Sequence, residues 1–312
     1  MIVAVSAVHL AGVEHEELAW AFKVENRATG TSTAALRPAG AIWRAPNVTI
    51  RTPDRWGAET PDHRETPRRP IPDLGLSHLC IQCRNLDVGL AVAQMEQLEA
   101  IHGPTALGTG YLYLYAHGAS GMLIEMEGAP FAPPDMPPFW IGHVAWSARD
   151  GAALSAFYGA LLERPVTASS RLRGHELFDQ VTGLPDVDLE GWWVPGLNIG
   201  LEFWQFHNPP SIRRWTGPGP ESVIFSSDDL EADSARARAL GARSYSPHAD
   251  QDKAALGTGN GSTGQFLDPE GNRFDLVAAT AEGQQRVDDP GLLVRLASWH
   301  PARRASGTRE GA

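Results

Sequence analysis

The 312-residue sequence predicts an α+β fold in which one βαβββ unit is used four times. Three observations carry this. Residues 142–162, GHVAWSARDGAALSAFYGALL, read as a strand, a short turn and an amphipathic helix. Residues 221–241, ESVIFSSDDLEADSARARALG, repeat that plan, and aligning Asp150 with Asp229 sets His143 on Ser222. Residues 77–100, SHLCIQCRNLDVGLAVAQMEQLEA, give a third copy that begins at His78.

Each copy continues through strand-like segments to a final strand with a central acid. These strands are GMLIEME (121–127), NIGLEFWQ (198–205) and NRFDLVA (272–278). A fainter copy fills residues 1–55, with the helix EHEELAWAFKV and the strand NVTIRT (47–52). There Arg51 stands where Glu202 stands in its own copy. The last strand is entered through FLDPEGN, a hairpin turn in which Pro presets φ and Gly and Asn tolerate positive φ.

Two proline-rich stretches divide the chain. PDHRETPRRPIPD (61–73) reads as an extended connector, and GAPFAPPDMPP (128–138) has five prolines in eleven residues. The expected organisation is an N-terminal domain over 1–130, with units 1–55 and 76–128 joined by a connector over 56–75. A C-terminal domain follows over 139–280, with units 141–207 and 220–279, and then a polar tail over 281–312. Joining the units first with second and third with fourth is preferred, because each pair then ends alike. The alternative joins second with third.

Strand parity decides which residues share a face. In LEFWQF, Leu201 and Phe203 face one way and Glu202 and Trp204 the other. In NRFDLV, Phe274 and Leu276 oppose Arg273, Asp275 and Val277. The apolar set belongs under the helix. An unpaired buried carboxylate on the other face carries a large desolvation cost, so Glu202 needs a partner.

Composition excludes several classes. A net charge of −11 argues against a nucleic-acid surface. No run approaches the ~18 apolar residues of a membrane span. The N-terminus lacks a basic region before its apolar residues, so a signal peptide is not expected. Cys80 and Cys83 lie in a strand-like run where i and i+3 face opposite sides, and no second CxxC completes a zinc site. Both read as buried thiols of a cytoplasmic protein.

At these residues the sequence resembles the vicinal oxygen chelate superfamily, which includes glyoxalase I, methylmalonyl-CoA epimerase, extradiol dioxygenases and fosfomycin resistance proteins. HVAWSARDGAALSAFYGALLERPV, VTGLPDVDLEGWW with NIGLEFWQF, and FLDPEGNRFDLV carry the resemblance, with Asp275 in place of the usual Glu. It implies four modules paired into two domains, each with mixed sheets curled into a cup. It also implies one divalent metal ion (Fe, Mn, Co, Ni, Zn or Mg) inside the cup, held by residues of the first and last strands of both modules.

With the preferred pairing, the resemblance assigns His143, Glu202 and Asp275 as metal ligands. Ser222 departs from the usual His and leaves that position to water or substrate. The N-terminal pair offers His78 and Glu125, with Arg51 in place of an acid and Ala7 or His9 nearest the remaining position. The alternative pairing collects His78, Glu125, His143 and Glu202. Glu202 is the candidate base, and Trp204, His175 and Ser222 the candidate substrate contacts.

The implied chemistry is metal-dependent enolate or oxyanion stabilisation on a small carbonyl or vicinal-oxygen substrate, of the isomerase, epimerase or lyase type. An extradiol dioxygenase is the first alternative, disfavoured because Ser222 breaks its His-His-carboxylate triad. A small-molecule or antibiotic-binding resistance protein is the second. A homodimer is compatible with either.

Overall fold

A computed structural model of the chain describes residues 2–11, 18, 21, 23–26, 41–45, 48–51, 67–87, 98–168, 171–196, 198–245 and 263–279. Most of the helix expected at EHEELAWAFKV, the first part of the connector (56–66), the middle of the helix in the 77–100 copy (88–97) and the tail (281–312) lie outside the described residues. So do the side chains of Ala7, His9 and Arg51.

The first stretch contains β1 (Ile2–Ala11), β2 (Lys23–Asn26), β3 (Ala41–Arg44) and β4 (Thr49–Arg51). The second contains β5 (Gly75–Cys83), β6 (Glu99–Ala100), β7 (Thr105–Ala106), β8 (Leu112–His117) and β9 (Leu123–Gly128). The third runs β10 (Phe139–Ser147), α1 (Gly151–Leu162), β11 (Thr167–Ala168), β12 (Leu172–Arg173), α2 (Glu176–Thr182), β13 (Asp188–Val194) and β14 (Gly200–Asn208). The fourth runs β15 (Gly219–Ser227), α3 (Leu230–Ala239), β16 (Arg243–Ser244), β17 (Thr263–Leu267) and β18 (Arg273–Ala278). The fold is α+β and dominated by its sheets.

The aligned aspartates are the same device twice. Asp150 Oδ1 accepts from the Ala153 amide at 2.9 Å and caps α1. Asp229 Oδ1 accepts from the Ala232 amide at 3.0 Å and caps α3. A side-chain oxygen here satisfies one of the first-turn N–H groups that have no partner within the helix. Helix α1 buries Leu154, Phe157, Tyr158, Leu161 and Leu162, each apolar side chain contributing about 1.5–3 kcal/mol. The parity reading holds on this side. Phe203 stacks on Trp146 at 5.0 Å and Phe274 on Phe266 at 5.3 Å, all four in one core that draws on both sheets.

One sheet has the order β11-β13-β14-β10-β5-β9-β8-β6, with β12 on β13 and β7 on β8. The other has the order β16-β17-β18-β15-β1-β4-β3-β2. The preferred pairing of units is therefore not the observed one: β5 of the second stretch pairs with β10 of the third, and β1 of the first with β15 of the fourth. The third and fourth stretches do touch, but through turns and helices. The Tyr158 hydroxyl donates to Asp268 Oδ2 at 3.1 Å, and the Arg149 and Asp150 amides each donate to Glu270 Oε1 at 2.9 Å.

After β14 the chain is held by the Leu74 amide donating to the Arg213 carbonyl (2.7 Å) and the Trp215 amide donating to the Leu74 carbonyl (3.0 Å) before it enters the second sheet. Among the described residues no helix is long and apolar enough to cross a membrane.

Candidate metal centre

Four adjacent strands each supply one donor: Glu202 on β14, His143 on β10, His78 on β5 and Glu125 on β9. β10 runs parallel to β14 and β5 parallel to β9, while β10 and β5 are antiparallel. His78 is 0% exposed, Glu125 2%, His143 2% and Glu202 5%. One ligand atom from each lies within 4.8 Å of all the others.

The individual contacts are short. His143 Nε2 lies 2.8 Å from Glu125 Oε2 and 3.1 Å from Glu202 Oε2. His78 Nε2 lies 3.2 Å from Glu125 Oε2 and 3.8 Å from Glu202 Oε2. His143 Nε2 and Glu202 Oε2 meet as an ion pair without completing a regular hydrogen bond. Two imidazole nitrogens and two carboxylate oxygens gathered this closely away from water suit a shared cation.

Neighbouring groups orient the donors, as they do around metal sites generally. His78 Nδ1 lies 3.1 Å from Ser77 Oγ, which leaves Nε2 toward the cluster. The Tyr115 hydroxyl donates to Glu125 Oε1 at 2.5 Å and so leaves Oε2 toward the histidines. The rings of Trp204 and Tyr115 stand 5.3 and 5.5 Å from the His78 ring, and Trp193 sits edge-on to His143 at 5.0 Å. Phe178 and Val181 of α2 pack with Trp204, Phe206, Tyr115 and Leu123 to close this face with apolar surface.

Electrostatics follow from this burial. Burial disfavours the charged form of both His143 and Glu125, but each faces the opposite charge. The carboxylates of Glu202 and Glu125 hold the His143 pKa well above its usual value. The imidazoles of His143 and His78 hold Glu125 well below the usual carboxylate range. Without a metal, His143 supplies the compensating positive charge.

Next to the centre a second buried acid behaves differently. Glu127 shares the face of Glu125 on β9 and is 3% exposed. Burial first, and then the charge of Glu125, push its pKa up to about 7. Its partner is Gln82 Nε2 at 2.5 Å, while Gln82 Oε1 accepts from Trp140 Nε1 at 2.7 Å. Gly142 makes room for that bridge, since a Cβ there would meet Gln82 Cδ at 2.5 Å.

Between pH 4.5 and about 7 the folded chain holds a proton on Glu127 that the unfolded chain has released. Stability therefore falls as pH rises through that window. In chelator-treated protein, Glu127→Gln is expected to be more stable than wild type by about 3 kcal/mol at pH 8 and equal to it near pH 4.5. Urea unfolding at the two pH values measures this.

The centre is the one collected by the alternative pairing, and Asp275 and Ser222 are not part of it. They lie on β18 and β15 of the other sheet, where the Ser222 hydroxyl donates to Asp275 Oδ2 at 3.3 Å and Arg273 Nε stands 3.5 Å from Asp275 Oδ1. Burial raises the Asp275 pKa to about 6. In that sheet His9 is the strand-register partner of both Ser222 and Arg51.

His175 acts locally as well, since its Nδ1 accepts from the Phe178 amide at 3.2 Å and caps α2. Trp204 does stand at the centre. Sequence reasoning missed Ser77, Tyr115 and Trp193. For Tyr115 there was a signal, because in YLYLY the residues Tyr113 and Tyr115 share a face and β8 lies beside β9.

A family model described as a glyoxalase-like domain matches residues 143–277. Over the whole chain, the fold is similar to that of glyoxalase I from Zea mays, with a TM-score of 0.60 at 13% identity, covering 88% of this chain and 92% of that one. Residues 143–277 therefore carry a glyoxalase-like domain, within a chain that shares the glyoxalase I fold. The fold is also similar to that of a putative dioxygenase from Bacillus subtilis subsp. subtilis str. 168, with a TM-score of 0.54 at 6% identity, covering 92% of this chain and 91% of that one. Curated proteins give no match to the chain. Within this fold the protein has a buried two-histidine, two-carboxylate cluster able to hold a divalent ion.

Proposed function

We propose that the chain is a metal-dependent enzyme of the isomerase or lyase type, acting on a small substrate with a carbonyl or two vicinal oxygens. The observation that carries this is the convergence of His78, Glu125, His143 and Glu202, one ligand atom of each lying within 4.8 Å of the others and all four residues buried. In this reading the four units work as two composite halves, second with third and first with fourth, each sheet curled around its own face.

The donors fit the ion. Two neutral imidazoles and two carboxylates balance a divalent charge, and the imidazoles favour a borderline transition ion such as nickel, zinc, cobalt, iron or manganese over magnesium. A bound ion would act as a Lewis acid, stabilising negative charge on a substrate oxygen and acidifying the adjacent C–H. Glu202 is the residue to move that proton. Glu125 has Oε1 held by Tyr115 and Oε2 by His78, whereas Glu202 Oε2 has no hydrogen-bond partner. Tyr115 and Ser77 keep Glu125 and His78 in place, and the apolar cover from Phe178, Trp204 and Phe206 excludes water from the exchanging proton.

The test is deuterium exchange. Metal-loaded protein incubated in heavy water with α-ketoaldehyde hemithioacetals and 2-substituted thioesters is expected to exchange or isomerise one of them. Glu202→Gln should lower that rate by about 100-fold or more, the usual scale of general-base loss. Unchanged exchange in Glu202→Gln would remove Glu202 from this role.

The dioxygenase reading regains support, because its objection rested on Ser222, which lies in the other sheet. His78, His143 and Glu202 supply two histidines and one carboxylate. Glu125 is a fourth ligand beyond that triad and favours the first reading. Oxygen uptake by iron-loaded protein on a catechol would reverse the order. Metal-free protein that binds an apolar molecule tightly would favour a binding protein over both.

A further inference from the structure

We propose that Cys80, Glu125, Glu127 and His143 form a second cation position, selective for thiophilic divalent ions and overlapping the first. Strand register builds it. Cys80 on β5 is the cross-strand partner of Glu125 on β9 and of His143 on β10, so the three stand in one row across the sheet. Side chains two residues apart on a strand share a face, which puts Glu127 with Glu125 and Cys80 with His78. One ligand atom from each of Cys80, Glu125, Glu127 and His143 lies within 4.8 Å of the others, and all four residues are buried. His143 Nε2 is at least nine-tenths buried and lacks a hydrogen-bond partner.

Glu125 and His143 of that row belong to both positions. The first adds His78 and Glu202, a nitrogen and oxygen set. The second adds Cys80 and Glu127, a sulfur and oxygen set. Thiolate selects softer ions than imidazole and carboxylate alone. A soft ion that enters displaces the thiol proton to solvent and forms a sulfur–metal bond, with no change of oxidation state. Because Glu125 and His143 are shared, an ion in one position competes with an ion in the other. Cys83 provides an internal control, since it lies on the opposite strand face in the apolar core.

The proposal does not depend on the catalytic reading, and the test separates the two. Full-length, chelator-treated protein is titrated with cadmium while the ultraviolet sulfur-to-cadmium charge-transfer band is followed. The band is expected to saturate at one ion per chain, to disappear in Cys80→Ser and to persist in Cys83→Ser. It should also persist in Glu202→Ala, which removes only the first position. In Glu127→Gln the band should need about 100-fold more cadmium or greater, since a direct ligand is lost and loss of a merely supporting group already costs about 10–100-fold. No band in wild type, a band that survives Cys80→Ser, its loss in Glu202→Ala, or an unchanged midpoint in Glu127→Gln would each overturn the four-residue position. The Glu127→Gln midpoint also stands if Cys80→Ser fails to fold.

Discussion

His143→Ala is expected to strip the metal from the purified protein. Wild type prepared without chelator should carry one divalent ion per chain by elemental analysis. Loss of groups that merely support a ligand costs about 10–100-fold in affinity, so loss of a direct ligand should weaken binding by about 100-fold or more. A second effect appears in the metal-free state. His143 is then the cation facing Glu125 and Glu202 at 2.8 and 3.1 Å. Removing one member of a buried charge cluster costs about 3–5 kcal/mol.

The sign of the pH dependence follows from the raised pKa of His143. Its contribution is fully present below the unfolded value of 6.5 and is lost as pH rises through the folded value. The apo variant should therefore fall furthest below apo wild type at mildly acid pH, and the gap should narrow as pH rises. Equal urea midpoints at pH 5.5 and at pH 9 would show that His143 carries no such charge.

Asp268→Ala is expected to cost about 3 kcal/mol or more without touching the metal centre. Asp268 is 0% exposed. Its Oδ1 accepts from the Glu270 and Asn272 amides at 2.9 Å each, and its Oδ2 from Asn272 Nδ2 at 2.8 Å and the Tyr158 hydroxyl at 3.1 Å. Alanine leaves these donors without their acceptor, each at about 1–3 kcal/mol when buried, though not additively. The turn also positions Glu270 to accept the Arg149 and Asp150 amides, so its loosening reaches the start of α1. Chemical denaturation measures the loss. Metal content should stay at one per chain in the folded variant, which separates this effect from that of His143→Ala.

That turn shows how far a sequence can be read. DPEGN announced a hairpin, and the hairpin between β17 and β18 is there, with Gly271 at φ 86°. Its wider connections to Tyr158 and Arg149 were not legible, because they join residues more than a hundred positions apart. The aspartate caps Asp150 and Asp229 were legible as an alignment, since capping is a local interaction of a few residues. The buried acids Glu125, Glu202 and Asp275 in three of the final strands were legible as well. Alternation separates Glu202 from Phe203 and Asp275 from Phe274 whatever the partner strand is.

By itself, then, the sequence determined the α+β class, the helix starts at Asp150 and Asp229, the faces of the strands and the donors His78, Glu125, His143 and Glu202 as residue types suited to a metal. Only the tertiary structure decided that these four stand together and that Asp275 belongs elsewhere. The reason is that the alternation along a strand tells which side chains share a face, while the backbone hydrogen bonds that join it to a neighbour carry no side-chain code. Which β-strand lies beside β10 therefore decides which carboxylate meets His143, and that strand is β5, not β15.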